Sequence, residues 1–254
     1  MKITTVQCDI SWCSKVENRR AIEQLIENCG KSDLLVLPEM FATGFCMNPS
    51  EIAEPQNGET AEWMLQIAKK HDAAVAGSVA TVVNGKYFNR LYFAKPDGEL
   101  AYYDKRHLFT YGGEDKQYSQ GEDRVIVDFR GARILLQVCY DLRFPVWSRN
   151  RGDYDIAIYV ASWPVGRIKV WDLLLRARAV ENQCYVVGTN RVGTDPICVY
   201  TGSSAIIHPY GHPIAKCALD AVDCATAEID LDELRAFRKK FPMLDDADKF
   251  QIDL

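Results

Sequence analysis

Two runs in this chain, Leu34-Leu35-Val36-Leu37 and Ile156-Ala157-Ile158-Tyr159-Val160, are apolar at every position. A strand with one wet face alternates apolar and polar residues, whereas an unbroken run needs cover on both faces. That requirement excludes a lone sheet facing water and calls for flanking layers. Helical spacing supplies candidates for those layers. Residues 16–29 place Ala21, Leu25, Ile26 and Cys29 on one face, and Gly30 suits the left-handed residue that ends a helix. Residues 59–71, 168–182 and 231–240 also read as helices, with a shorter one near 146–150. Strands are expected at 2–8, 73–79, 100–104, 184–190 and 225–229. Hairpins interrupt the alternation, at Asn84-Gly85 between 80–83 and 87–95, at Arg130-Gly131 between 125–129 and 133–138, and at Pro209-Tyr210-Gly211 between 203–208 and 213–217. Strands alternating with helices, with hairpins inserted, predict mixed-sheet α/β layers in one domain. The pattern assigns residues 1–244 to that domain and leaves 245–254 as an acidic tail outside the core.

Charge narrows the partners. The 254 residues carry 30 Lys and Arg against 35 Asp and Glu, a net charge of −5. The basic residues are scattered, so no basic stripe marks a nucleic-acid partner. The opening MKITTVQCDI alternates like a strand and has no apolar leader segment, and no apolar run reaches the ~18 residues of a membrane span. A cytoplasmic protein without a membrane partner is therefore expected. Nine cysteines are present and none forms a C-x-x-C pair, which argues against a zinc ribbon or a thioredoxin-like site. A chain of this length needs no covalent staples, so most of these thiols read as buried, reduced core residues. His208 and His212 flank Pro209 and Gly211 and cannot share a helical face as a zinc pair does, so no metal site is expected.

The chemistry gathers where strands end. In α/β sheets, reactive groups lie beyond the carboxyl ends of strands. Leu34–Leu37 runs through Pro38 to Glu39, the strand ending at Asp104 leads to Lys105, and the run ILLQV ends at Cys139. Taken singly, each has a plainer reading, as a solvated acid, a surface charge or a packed thiol. Together they form a nucleophile set. A free thiol with a pKa of ~8.5 is only a few per cent ionised at neutral pH, so it needs a base. Of the four histidines, His107 alone falls near the set, as a bystander. A buried carboxylate such as Glu39 can take the thiol proton, and Lys105 can hold a developing oxyanion.

The segments LVLPEMF (36–41 within it), DKRHLF (104–109) and CYDLRFP (139–145), in this order, resemble the nitrilase superfamily of carbon–nitrogen hydrolases. The likeness runs from about residue 3 to about 240, and RARAVENQ (176–183) fits the family's long helix. It implies a four-layer αββα sandwich with two mixed sheets, a Glu39–Lys105–Cys139 triad, no cofactor, and a homodimer or larger assembly. Gly113-Glu114 is similar to a second glutamate of the family that supports the lysine and the substrate amide. CYDLRFP with ASWP (161–164) resembles the omega-amidase branch, whose substrates are small 2-oxo acids with a terminal amide. Tyr140 would then offer its backbone N–H to the oxyanion. Arg143 would bind the far carboxylate, although pairing with Asp141 is an equal reading. Trp163 and Phe41 would wall the pocket, or else belong to the core. The chain departs from the branch at Ser162, where Asn is usual, and at Ser203-Ser204, where an acid is usual. Other readings are an N-carbamoyl amidohydrolase, a nitrilase, or a non-catalytic thiol protein acting as a redox sensor or binding module.

Overall fold

The computed structural model describes residues 1–253. The first half runs β1 (Lys2–Gln7), α1 (Lys15–Asn28), β2 (Leu34–Val36), α2 (Pro49–Ile52), β3 (Glu54–Pro55), α3 (Glu59–His71), β4 (Ala74–Val83), β5 (Lys86–Ala94) and β6 (Leu100–Asp104). The second runs β7 (Ile126–Phe129), β8 (Ala132–Val138), α4 (Pro145–Ser148), β9 (Ile156–Ala161), α5 (Ile168–Glu181), β10 (Tyr185–Asn190), β11 (Val192–Thr194), β12 (Val199–Thr201), β13 (Ala205–Ile207), β14 (Pro213–Lys216), β15 (Asp223–Glu228) and α6 (Leu231–Lys240).

Two mixed sheets form. One has the order β15-β1-β2-β4-β5-β6, with β3 paired to β4, and the other β14-β13-β10-β9-β8-β7. The unbroken apolar runs are explained by what each face meets. Leu34 and Val36 point between the sheets, where they pack with Ile134, Leu136, Ile156 and Ile158 of the other sheet. Leu35 and Leu37 point outward onto Ile22 and Ile26 of α1 and Met64 and Ile67 of α3. On the far side, Trp171, Leu175 and Ala179 of α5 cover Leu135, Ala157 and Tyr159. The layers are therefore α, β, β, α, the sandwich expected from the sequence.

Topology collects strand ends at one place. β2 is parallel to β4, β5 is antiparallel to β4, and β6 is antiparallel to β5, so β2 and β6 finish at the same end of their sheet. In the other sheet β8, β9 and β10 are mutually parallel and also share an end.

Several details depart from the sequence reading. The strand at 73–79 and the first arm of the hairpin at 80–83 are one strand, β4. The hairpin β11–β12 and the single-turn α2 are new; their three- and four-residue lengths carry too little periodicity to read. Cys29 and Cys224 form a disulfide, contrary to the expectation of reduced core thiols, because β15 lies beside the last turn of α1 with the two Cα atoms 5.9 Å apart. Cys8, Cys46, Cys184 and Cys217 are buried and free, as expected, while Cys13 is exposed. The tail does not stand clear of the domain: Ile252 packs against the inter-sheet cluster and the Phe250 ring lies 4.8 Å from the Arg151 guanidinium carbon. Its last residue, Leu254, lies outside the described residues. Among the described residues no helix is long and apolar enough to cross a membrane.

Candidate active site

The chain leaves β2 through Leu37-Pro38 and delivers Glu39, 1 % exposed, into the space between the sheets. Met40 follows in the left-handed conformation (φ 46°), which turns the chain away sharply. From β6 comes Lys105, equally buried. From β8 comes Cys139, itself left-handed (φ 44°), at the start of a short 3₁₀ turn. A residue with a side chain held in that region carries strain, which recurs at reactive positions. The sheets are joined at the site itself: the Ser162 N–H, just past β9, donates to Glu39 Oε2 (2.9 Å), and the Ser162 hydroxyl donates to the Glu39 carbonyl (3.2 Å).

Lys105 is the hub. Its Nζ donates to Glu39 Oε1 (2.9 Å) and to both oxygens of Glu114 (3.0 and 2.9 Å). Glu114 is fully buried at the start of a 3₁₀ turn and also accepts from the Phe109 N–H (2.6 Å). Asn89, on β5, donates from Nδ2 to Glu39 Oε1 (2.8 Å) and Glu114 Oε1 (3.1 Å). The electrostatics follow from burial. Desolvation pushes the Cys139 thiol well above its ordinary value, the Glu39 charge adds to the rise, and Lys105 opposes it. The resting thiol is therefore protonated at neutral pH, beside the Glu39 carboxylate that raises it. For Lys105, burial alone would lower the pKa. The carboxylates of Glu114 and Glu39 outweigh it and hold the ammonium above the usual lysine range. Burial raises Glu114, with Lys105 pulling the other way.

Cys139, Glu39 and Lys105 line a cavity of about 110 Å³ together with Tyr140, Arg143 and Trp163. Of the residues singled out in the sequence, Phe41 alone is misplaced. The turn at Met40 sends its ring into the helix-covered core, 5.8 Å from Trp63 and against Gly77. The aromatic walls are Phe45, Phe109, Tyr140, Trp163 and Tyr200. Arg143 does not pair with Asp141; its guanidinium lies 5.1 Å from the Trp163 ring. Asp141 is fully buried and turned inward, accepting from the Tyr103 hydroxyl (2.8 Å), the Val138 N–H (2.9 Å) and the His107 N–H (3.0 Å), with His107 Nδ1 at 2.8 Å. It locks the strand end carrying Cys139 to the loop carrying Lys105. His107 stacks on Phe144 and stays out of the cavity.

Sequence reasoning missed Asn89, Asp141 as a tie, Arg167, and the hairpin loop with Asp195, Cys198 and Tyr200, all but the first two lining the cavity. Arg167 lies over Phe109, and its carbonyl accepts from Trp163 Nε1 (2.9 Å). The Asp195 carboxylate is consumed locally by the Tyr200 hydroxyl (2.5 Å) and the N–H groups of Ile197 and Cys198 (2.8 and 2.7 Å). Among the described residues, no group of three or more His, Cys, Asp or Glu side chains is placed to hold a metal ion.

A buried base, a thiol and an ammonium at one cavity end can support acyl transfer. Residues 2–239 match the carbon-nitrogen hydrolase family. The chain belongs to that family. It is 45% identical to an omega-amidase, YafV, of Yersinia enterocolitica over 253 residues, covering 99% of this chain and 98% of that one. It is 36% identical to the 2-oxoglutaramate amidase of Bacillus subtilis, with 97% of each chain covered. Among solved structures, a CN-hydrolase superfamily protein of Xanthomonas campestris with an arsenic adduct in its active site superposes with a TM-score of 0.95 at 41% identity, covering 100% of this chain and 99% of that one. This carbon–nitrogen hydrolase thus acts on C–N bonds other than peptide bonds, as the resemblance of its motifs implied.

Proposed function

We infer that this hydrolase is an omega-amidase, which cleaves the terminal amide of a small 2-oxo dicarboxylate monoamide such as 2-oxoglutaramate or 2-oxosuccinamate to the acid and ammonia. Full-length similarity to an omega-amidase and a 2-oxoglutaramate amidase supports the reaction. The observation that carries the substrate class is the pair of guanidinium groups, Arg143 and Arg167, on a cavity that also holds Cys139, neither with a salt-bridge partner among the described residues. A substrate with an amide at one end and a carboxylate at the other fits that polarity, since a guanidinium fork matches a carboxylate. An aromatic nitrile offers these cations nothing, and a nitrilase is the weaker reading.

In this mechanism Glu39 takes the proton of Cys139 as the thiolate attacks the amide carbon. The oxyanion is held by the Lys105 ammonium and the Tyr140 N–H; losing one such donor typically costs on the order of 10²–10³ in rate. Glu39 returns the proton to the departing nitrogen, leaving ammonia and a thioester. Water, deprotonated by Glu39, then releases the acid. Because the thiol rests protonated, activation waits for substrate and the enzyme does not carry a standing thiolate.

We also propose that the enzyme is cytoplasmic and works as a homodimer or larger. The assembly reading rests on the family resemblance, and Leu173 and Val180, exposed two turns apart on α5, offer an apolar face for it. Light scattering at micromolar concentration checks it, and a monomer refutes it. The activity is tested by ammonia release from 2-oxoglutaramate, an N-carbamoyl amino acid and an aromatic nitrile, by the wild type and Cys139→Ala. The wild type is expected to prefer 2-oxoglutaramate and the variant to be inactive; a preference for either other substrate overturns the assignment.

A further inference from the structure

Asn89 sits where a β-strand pattern predicts an ordinary inward residue, yet three observations set it apart. Its carbonyl accepts the Lys105 N–H (3.0 Å), so its backbone fixes where the lysine leaves β6. Its Nδ2 donates to both Glu39 Oε1 and Glu114 Oε1, two of the three oxygens that Lys105 Nζ reaches. The four groups close a ring: Glu39, Lys105, Glu114, Asn89. Its Oδ1, fully buried, has no hydrogen-bond partner among the described residues. A buried carbonyl without a partner is costly, and native proteins keep one only where something compensates.

The compensation is electrostatic. Two buried carboxylates face one ammonium, which leaves one negative charge in excess. Lys105 divides its three N–H donors between the two acids, and the Asn89 amide adds a second tie between them. An amide is the one side chain of this size that donates two protons without adding charge. An acid there would add a third anion, and a base would quench the carboxylate that must take the thiol proton.

We propose that Asn89 is a positioning residue of the hydrolysis, holding Glu39 on the Cys139 thiol by bridging it to Glu114. The inference rests on the assignment of Glu39, Lys105 and Cys139 as the catalytic set. It acts through Glu39 and touches neither substrate nor thiol.

The test is Asn89→Asp, assayed for kcat and KM on 2-oxoglutaramate across pH 5 to 9, beside wild type and Cys139→Ala, with thermal melting to confirm folding. An ionised Asp repels both acids, whereas a protonated one again donates to one of them. The expected result is a kcat loss on the order of 10²-fold at neutral pH, as for a misplaced catalytic group, with KM within a few-fold. The ratio of variant to wild-type kcat should rise as pH falls. Asn89→Ser, which deletes the amide and adds no charge, should lose kcat at every pH with a flat ratio, and it stands in if the Asp variant does not fold. A wild-type kcat in either variant, or a loss in Asn89→Asp that does not vary with pH, overturns the role of Asn89. Activity surviving in Cys139→Ala would instead sink the catalytic set, whatever Asn89 does.

Discussion

The cavity has two cationic regions, and they are built in opposite ways. Lys105 is buried and already paired, donating to Glu39 and to both oxygens of Glu114. Arg143 and Arg167 are half-buried, lie over the Trp163 and Phe109 rings, and have no carboxylate partner among the described residues. Asp195 could have neutralised them, but its oxygens are taken by its own hairpin loop. A cation already paired contributes its charge to a fixed field. An unpaired cation in a cavity is available to an incoming anion. One end is therefore suited to the reaction and the other to choosing what reacts.

The contrast breaks most completely at the base. Glu39→Gln keeps the shape and the lysine contact but cannot take the thiol proton, so kcat should fall on the order of 10²–10⁴-fold with KM little changed, as steady-state ammonia release will show. Glu114→Gln is the next step down. Its charge is the larger of the two that keep Lys105 protonated against burial. Without it the lysine pKa falls, so the alkaline limb of the kcat profile should move to lower pH, with a loss of about 10²-fold near neutrality. An unmoved limb would mean that Glu114 is only packing. At the other end, Arg143→Met and Arg167→Met should raise KM for 2-oxoglutaramate about tenfold to a hundredfold each, the worth of a charged hydrogen bond, while kcat stays within a few-fold. A loss confined to kcat would move these arginines into the reacting end and erase the distinction.

The same contrast explains what the sequence could reveal. Glu39, Lys105 and Cys139 each follow a strand whose apolar pattern is legible, so their place at a shared end follows from topology rules. The layers were legible for a related reason: Leu34–Leu37 can be apolar throughout only if both faces are covered. Phe41 could not be placed, because its direction depends on the left-handed Met40, and nothing in LPEMF marks that turn. Asn89 looks like any polar residue in KYFNRLYFA; its meaning comes from β6 returning beside β5 to bring Lys105 opposite it. Arg167 and the β11–β12 loop reach the cavity by long-range packing of segments too short to show a period.

The central claim is that the outer arginines read a carboxylate while the inner set cleaves the amide. The direct measurement compares kcat/KM for 2-oxoglutaramate and for its methyl ester, which keeps the amide and masks the acid. A drop of about 10²-fold or more for the ester is expected, from losing charged hydrogen bonds. It should vanish when both Arg143 and Arg167 are replaced by Met. Equal turnover of acid and ester by the wild type would contradict the account.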